Sequence, residues 1–330
     1  MTESANHIIE VCAEMLECGK IEQAISQINS GITLYPADGR FYLFLSAILK
    51  NNREDRKAFD ILWRALITDP GSKLARDEIR YAVLQDQPAI NFSEKDFSLH
   101  SGERQVAASV DQIRIDHLVR YEMAAKWITK KFGAAARLKT GLDIFSGNGY
   151  GSCILSERAG VKMFGIDGSQ EAVNFAERTY GSHRVVFGQA LHPFEVDYHD
   201  FDFVVSLESI EHVENPEKLI TQMTRASRGP LILSFPDEAG LPFEKFGDKF
   251  GYHVKHFRRD EIIDLLAAAG RKQIAAEYGQ NVYRIERGEI KGLLPPEEMG
   301  LCSQKCAPQF RVMIVEPELG SDSQVTDAGR

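Results

Sequence analysis

Apolar residues recur at steps of three and four through the first eighty positions of the chain. Ala24, Ile25, Ile28, Ile32 and Leu34 form one stripe, and Ala58, Phe59, Leu62, Ala65 and Leu66 another, as helices with one buried face require. The spacing predicts helices over about 5–18, 21–35, 39–51, 54–69 and 72–84. Ala13 superposes on Ala47, Ala24 on Ala58, Ile25 on Phe59 and Pro36 on Pro70, all at a shift of 34 residues. Each unit is thus a pair of amphipathic helices, closed by a proline that cannot extend the second. The period breaks at Gln85-Asp86-Gln87-Pro88, and residues 91–109 are polar and turn-rich. Beyond them short apolar runs alternate with helical stretches. Strands are expected near 142–145, 161–167, 184–187, 201–206, 231–236 and 310–315. That alternation predicts an α/β fold, a doubly wound, mostly parallel sheet of about seven strands preceded by an all-α helical module.

Composition narrows the functional classes. The 330 residues are 43% hydrophobic and 26% charged, the balance of a globular chain with a sizeable core. No run approaches the roughly 18–20 apolar residues of a membrane span. Thirty-nine basic against 48 acidic residues give a net charge of −9, which disfavours nucleic acid as a partner. The opening Met1-Thr2-Glu3-Ser4-Ala5-Asn6 has neither the basic start nor the apolar stretch of a signal peptide. Five scattered cysteines (Cys12, Cys18, Cys153, Cys302, Cys306) fit a reducing compartment better than a disulfide framework, so a cytoplasmic protein is expected. Cys302 and Cys306 lack the second pair that a zinc site needs.

The chemistry concentrates after residue 140. Leu142-Asp143-Ile144-Phe145 leads into Ser146-Gly147-Asn148-Gly149-Tyr150-Gly151, a helical stretch ends at Gly160, and Val161 to Asp167 reads as a strand with an acid at its end. Strand, glycine turn, helix, strand and acid form a nucleotide-binding βαβ unit, in which the acid can accept both hydroxyls of a ribose. Ser152 occupies the sixth place of the dinucleotide fingerprint, where glycine is required. Asp143 would repel a pyrophosphate but suits a ligand with a positive centre. The charge logic favours S-adenosylmethionine, a sulfonium without phosphate, over a dinucleotide.

Leu142 to Ser152 resembles the first motif of class I S-adenosylmethionine-dependent methyltransferases, with Phe145 where the family's D-x-G-x-G-x-G has its first glycine. Phe164-Gly165-Ile166-Asp167, Val186-Phe187-Gly188-Gln189-Ala190, Phe201 to Val213 and Leu231 to Pro236 resemble its later blocks in order. Asp116 to Glu122 resembles the opening helix of bacterial members associated with surface-sugar synthesis. The 34-residue helical pairs resemble the tetratricopeptide repeat. The resemblance implies that S-adenosylmethionine lies over the strand ends and leaves as S-adenosylhomocysteine. Arg120 and Tyr121 would close over its carboxylate, and Asp143 would approach its ammonium. Gly147 and Gly149 would face the methionine part, Asp167 would take the ribose hydroxyls and Gln189 the adenine amino group, with Phe145, Asn148, Gly168, Ala190 and Glu208 completing the expected cofactor site. A hydroxyl acceptor must lose its proton, and His212, then His253 or His256, is the expected base. Glu208, Glu211 and His212, with His253 or His256 as a fourth ligand, are also a candidate divalent-metal set.

The expected organisation is a helical module over 1–84, a linker over 85–110, a methyltransferase domain over 111–318 and a flexible tail over 319–330. The expected acceptor is a small molecule, most simply a sugar hydroxyl. Two alternatives stay open: a non-catalytic adaptor whose repeats bind protein or self-associate, and a protein methyltransferase whose repeats hold its substrate.

Overall fold

The computed structural model describes residues 4–85, 87, 98–100, 104–303 and 307–318. Five helices come first: α1 (Ala5–Glu17), α2 (Ile21–Leu34), α3 (Gly39–Asn51), α4 (Asp55–Thr68) and α5 (Lys73–Val83). The 34-residue shift is visible in their geometry. Cys12 Sγ donates to Ala24 O at 3.8 Å, and Ser46 Oγ donates to Ala58 O at 3.0 Å, one unit later. Gly19 and Arg53, at matching turns, both take left-handed backbone (φ 72° and 61°). The two pairs are therefore built alike, as the apolar spacing predicts. Most of the segment expected as a linker and the whole expected tail, 319–330, lie outside the described residues, as does Cys306.

Helix α6 (Ile115–Phe132) leads into β1 (Thr140–Ile144), α7 (Tyr150–Ala159), β2 (Lys162–Asp167), α8 (Gln170–Thr179) and β3 (Val185–Gln189). There follow β4 (Phe203–Ser206), α9 (Pro216–Ala226), β5 (Leu231–Pro236), the short α10 (Phe243–Phe246), α11 (Arg259–Ala268) and β6 (Gln273–Gln280). A hairpin, β7 (Tyr283–Glu286) and β8 (Glu289–Leu293), precedes the last strand, β9 (Phe310–Glu316). The main sheet runs β3-β2-β1-β4-β5-β9-β6, with β9 antiparallel to both its neighbours. This is the seven-stranded doubly wound sheet that the alternating pattern predicts. The two-stranded β7–β8 sheet is an addition: its residues are half-exposed, and no strict alternation marks it in the sequence.

The two faces of the sheet are covered differently. On one, α6, α7 and α8 pack Tyr121, Ile128, Ile154, Leu155 and Ala176 against Met163, Phe187, Phe203 and Val205. On the other, α9 and α11 cover β4, β5 and β9, while α4 and α5 bring Phe59, Leu62, Trp63, Leu66, Ile79 and Val83 against Leu142, Ile144, Phe164 and Val186. No helix intervenes between β3 and β4, so the amino-terminal helices fill the place that a local crossover helix would take. Polar ties reinforce the seam. Asp197 N donates to Val83 O at 2.9 Å, Lys162 pairs with Asp60 at 3.0 Å, and Arg76 pairs with Glu177 at 2.8 Å. At edge strand β3, Arg80 Nε donates to Phe187 O at 2.7 Å and Phe187 N donates to Glu177 at 3.1 Å. By contrast, α1, α2 and α3 close a smaller core of their own around Ile8, Ala24, Ile28, Phe41 and Leu45.

Candidate functional site

A cleft of about 470 Å³ opens over the carboxyl ends of β1, β2 and β4, where the strand order reverses. Open α/β sheets bind ligands in that crevice, because neighbouring crossovers there leave to opposite faces. The turn after β1 supplies Phe145, Ser146, Gly147 and Asn148 to its wall, and Asp167 and Gly168 end β2 beside them. Leu207, Glu208, Glu211 and His212 come from the segment after β4, and Tyr121 from α6. Phe250, Tyr252 and His253 arrive from the loop before α11.

Two residues at the strand ends, Phe145 and Glu208, hold left-handed backbone (φ 58° and 54°). A non-glycine side chain there costs on the order of 1–2 kcal/mol. Phe145 thus holds a backbone conformation that favours glycine. Its ring lies against His192 and Phe194, at centroid distances of 5.9 and 6.1 Å, and forms cleft wall. Gly147 (φ 54°) has open space where a side chain would project, the nearest atom lying 3.9 Å away on Arg104. Gly149 serves packing: a Cβ there would meet Ala176 and Phe187 at 2.6 Å.

Asp167, 2% exposed, accepts from the backbone N–H of Gly147 at 2.9 Å and of Ser169 at 2.8 Å. Arg104 completes its shell at 2.8 Å. Asp143 lies deeper and does not line the cleft; it accepts from Ser152 Oγ at 2.8 Å and Tyr121 Oη at 3.4 Å. Burial, with Asp167 nearby, outweighs those bonds and pushes its carboxyl up to about 7. Arg120 is also withdrawn: its guanidinium pairs with Glu208 at 3.0 Å, donates to Gln280 at 2.6 Å and lies over Phe310. Gln189 donates to Gly168 O at 3.0 Å, and Ala190 is buried in the core, so neither lines the cleft.

The histidines gather at the other end. Glu211, His212 and His253 bring one ligand-capable atom each within 4.8 Å of one another. His212 and His253 pack edge to face at 4.8 Å, and His253 stacks on Phe250 at 4.7 Å. Burial lowers the pKa of His212 and takes that of His253 down to about 2, helped by the neighbouring imidazoles. Both rings are therefore neutral at pH 7. His256 stands behind, fully buried. The metal set expected from the sequence loses Glu208, which turns to Arg120 and accepts from Ser234 Oγ at 2.7 Å; Glu211, His212 and His253 come together and His256 stands behind them.

Sequence reasoning missed Arg104, Gln105, Arg114, His117, Tyr150 and Tyr283, which also line the cleft. Arg104 and Gln105 sit in turn-rich sequence without a period. His117 lay within the block read as an opening helix; burial and the Arg120 charge take its pKa down to about 3, and it meets Tyr150 Oη at 3.1 Å.

The seven-stranded, mostly parallel sheet with helices on both faces is a Rossmann-like methyltransferase fold. Residues 115–275 match the family described as "Methyltransferase domain". The chain is 28% identical over 145 residues to a phosphoethanolamine N-methyltransferase of Plasmodium falciparum, covering 41% of this chain and 54% of that one. It thus spans about half the length of that curated relative. A magnesium protoporphyrin IX methyltransferase from Synechocystis, solved with bound SAH, is 18% identical with a TM-score of 0.44, over 78% of this chain and 99% of that one. A Haemonchus contortus phosphoethanolamine N-methyltransferase complex is 23% identical with a TM-score of 0.39, over 46% and 38%.

Proposed function

We propose that the protein transfers a methyl group from S-adenosylmethionine to a small polar acceptor, most simply a sugar hydroxyl, in the cytoplasm. The observation that carries the reading is the polarity of the cleft from end to end. One end offers a buried carboxylate, Asp167, beside Ser146 Oγ and Asn148 Oδ1, which have no hydrogen-bond partner among the described residues; the other gathers neutral imidazoles. Those groups fit a nucleoside carrying hydroxyls and a cationic centre. Asp167 would take the ribose hydroxyls, and Tyr121, Gly147 and Glu208 would border the methionine part.

Bound S-adenosylmethionine supplies a methyl group already activated for displacement. The chain's own task is to position the acceptor and take its proton. His212, neutral and at the cleft wall, is the leading base, and Phe250, Tyr252 and Tyr283 give the acceptor aromatic surface. An amine acceptor is the second reading, favoured by the name of the Plasmodium falciparum relative. A protein partner for α1–α3 or self-association through them is compatible with either.

Calorimetry with S-adenosylmethionine is the primary test: absence of binding at millimolar ligand overturns the reading. His212→Ala should spare that binding and slow turnover by roughly 10²–10⁴-fold. Assays with sugars and with primary amines separate the two acceptors.

A further inference from the structure

The hydrogen bonds behind the cleft determine where the protons sit on the histidines. His256 Nδ1 lies 2.6 Å from the carbonyl oxygen of Leu241. A carbonyl only accepts, so His256 Nδ1 carries the proton. Its Nε2 lies 2.9 Å from His253 Nδ1. In a neutral His256 that Nε2 holds a lone pair, so His253 Nδ1 must donate to it. A neutral His253 then has no proton on Nε2. The same logic applies to His212, whose Nδ1 lies 3.0 Å from the carbonyl oxygen of Tyr252. Ring contacts hold the arrangement. Phe250 stacks on His253 at 14°, His212 meets it at 90°, and Phe243 and Phe250 flank His256 at 5.1 and 5.3 Å.

We infer that His256 is a positioning residue, which fixes His253 in the tautomer with a proton-free Nε2, so that His253 and His212 both present a proton-accepting nitrogen to the acceptor end of the cleft. The inference rests on the methyltransferase reading. As the acceptor oxygen bonds to the methyl carbon and the carbon–sulfur bond pair leaves with sulfur, the O–H proton passes to Nε2 of His212, and Nε2 of His253 accepts a hydrogen bond that orients the acceptor. Had His253 carried its proton on Nε2, it would offer a donor there and could not accept that hydrogen bond.

The test needs no acceptor. Two-bond ¹H–¹⁵N spectra of the full chain, labelled at histidine, at pH 7, should show His253, His256 and His212 protonated on Nδ1, with Nε2 of each of pyridine type. His256→Phe removes the acceptor behind His253 and should exchange the two nitrogen types of His253. His256→Gln keeps an acceptor and should restore the wild-type pattern. A wild-type His253 protonated on Nε2, or doubly protonated, overturns the inference, and so does an unchanged His253 in a folded His256→Phe protein. Calorimetry on the same samples separates the two levels. If S-adenosylmethionine fails to bind wild type, the methyltransferase reading falls whatever the tautomers, whereas binding with the wrong tautomer removes only the role of His256.

Discussion

The two faces of the sheet reach the same dryness by different routes. One is covered by α6, α7 and α8, each adjacent in sequence to the strands beneath it. The other depends in part on α4 and α5, which lie about sixty residues before β1 at the nearest and return across the polar stretch. Phe59, Trp63, Ile79 and Val83 are as buried as Ile128, Ile154 and Ala176 on the opposite face. A covering layer therefore need not come from within a domain. The comparison also divides the five amino-terminal helices: α4 and α5 belong to the sheet's core, α1 and α2 to a core of their own, and α3 touches both.

Removing residues 1–84 is the strongest way to break this view. It uncovers Leu142, Ile144, Phe164 and Val186 together, and the remaining chain should be insoluble or lack a cooperative transition in urea. Removing only residues 1–38 should cost far less. Equal solubility and midpoints for the two truncations would show that the sheet does not need α4 and α5. Point changes sharpen it: Ile79→Ala on α5 and Ile128→Ala on α6 should each cost about 2–5 kcal/mol in urea unfolding if both faces melt as one unit. Two separated transitions for one of them would show two units.

Changes in the cleft should leave both faces intact. Asp167→Ala is expected to weaken S-adenosylmethionine binding by about 1–3 kcal/mol through loss of charged hydrogen bonds, measured by calorimetry on folded protein. The smallest effect is that of pH. Burial lowers His117 and His253 to about 3 and 2, so the native state resists protons that the unfolded chain takes up below about 6.5. Their contribution is complete above that pH and is lost as pH falls. Asp143, raised to about 7, acts in the opposite sense: it favours the native state as pH falls from 7 towards 4. Between pH 7 and 5 the signs oppose, and a net change on the order of 1–2 kcal/mol is expected. Asp143→Asn should steepen the acid loss, and His253→Asn should flatten it; the reverse slopes would refute the assignment.

Much of this was legible in the sequence because it rests on local periodicity. The helices over 5–83 match the apolar steps, and Asp167, Gly147 and His212 line the cleft as their motifs suggest. What escaped was long-range. Nothing in the stripe of Phe59, Leu62 and Leu66 says that it faces a sheet rather than another helix, since both offer an apolar surface of the same kind. Arg120 was read towards the ligand, but Glu208 and Gln280, 88 and 160 residues later, claim its guanidinium. Gln189 was likewise read as a ligand contact and instead holds the turn at Gly168. Gly149 was assigned to close ligand approach, whereas α8 and β3 press against it.

Edge strand β3 carries one more lesson, because the outward backbone groups at its centre are already taken. The Phe187 amide and carbonyl are engaged by Glu177 and Arg80 side chains, one from each neighbouring helix. An eighth strand, from this chain or another copy, finds no unpaired ladder on which to dock at that position. The same helices that dry the sheet's interior thus act as a guard against runaway strand pairing, and losing them would expose the protein to aggregation.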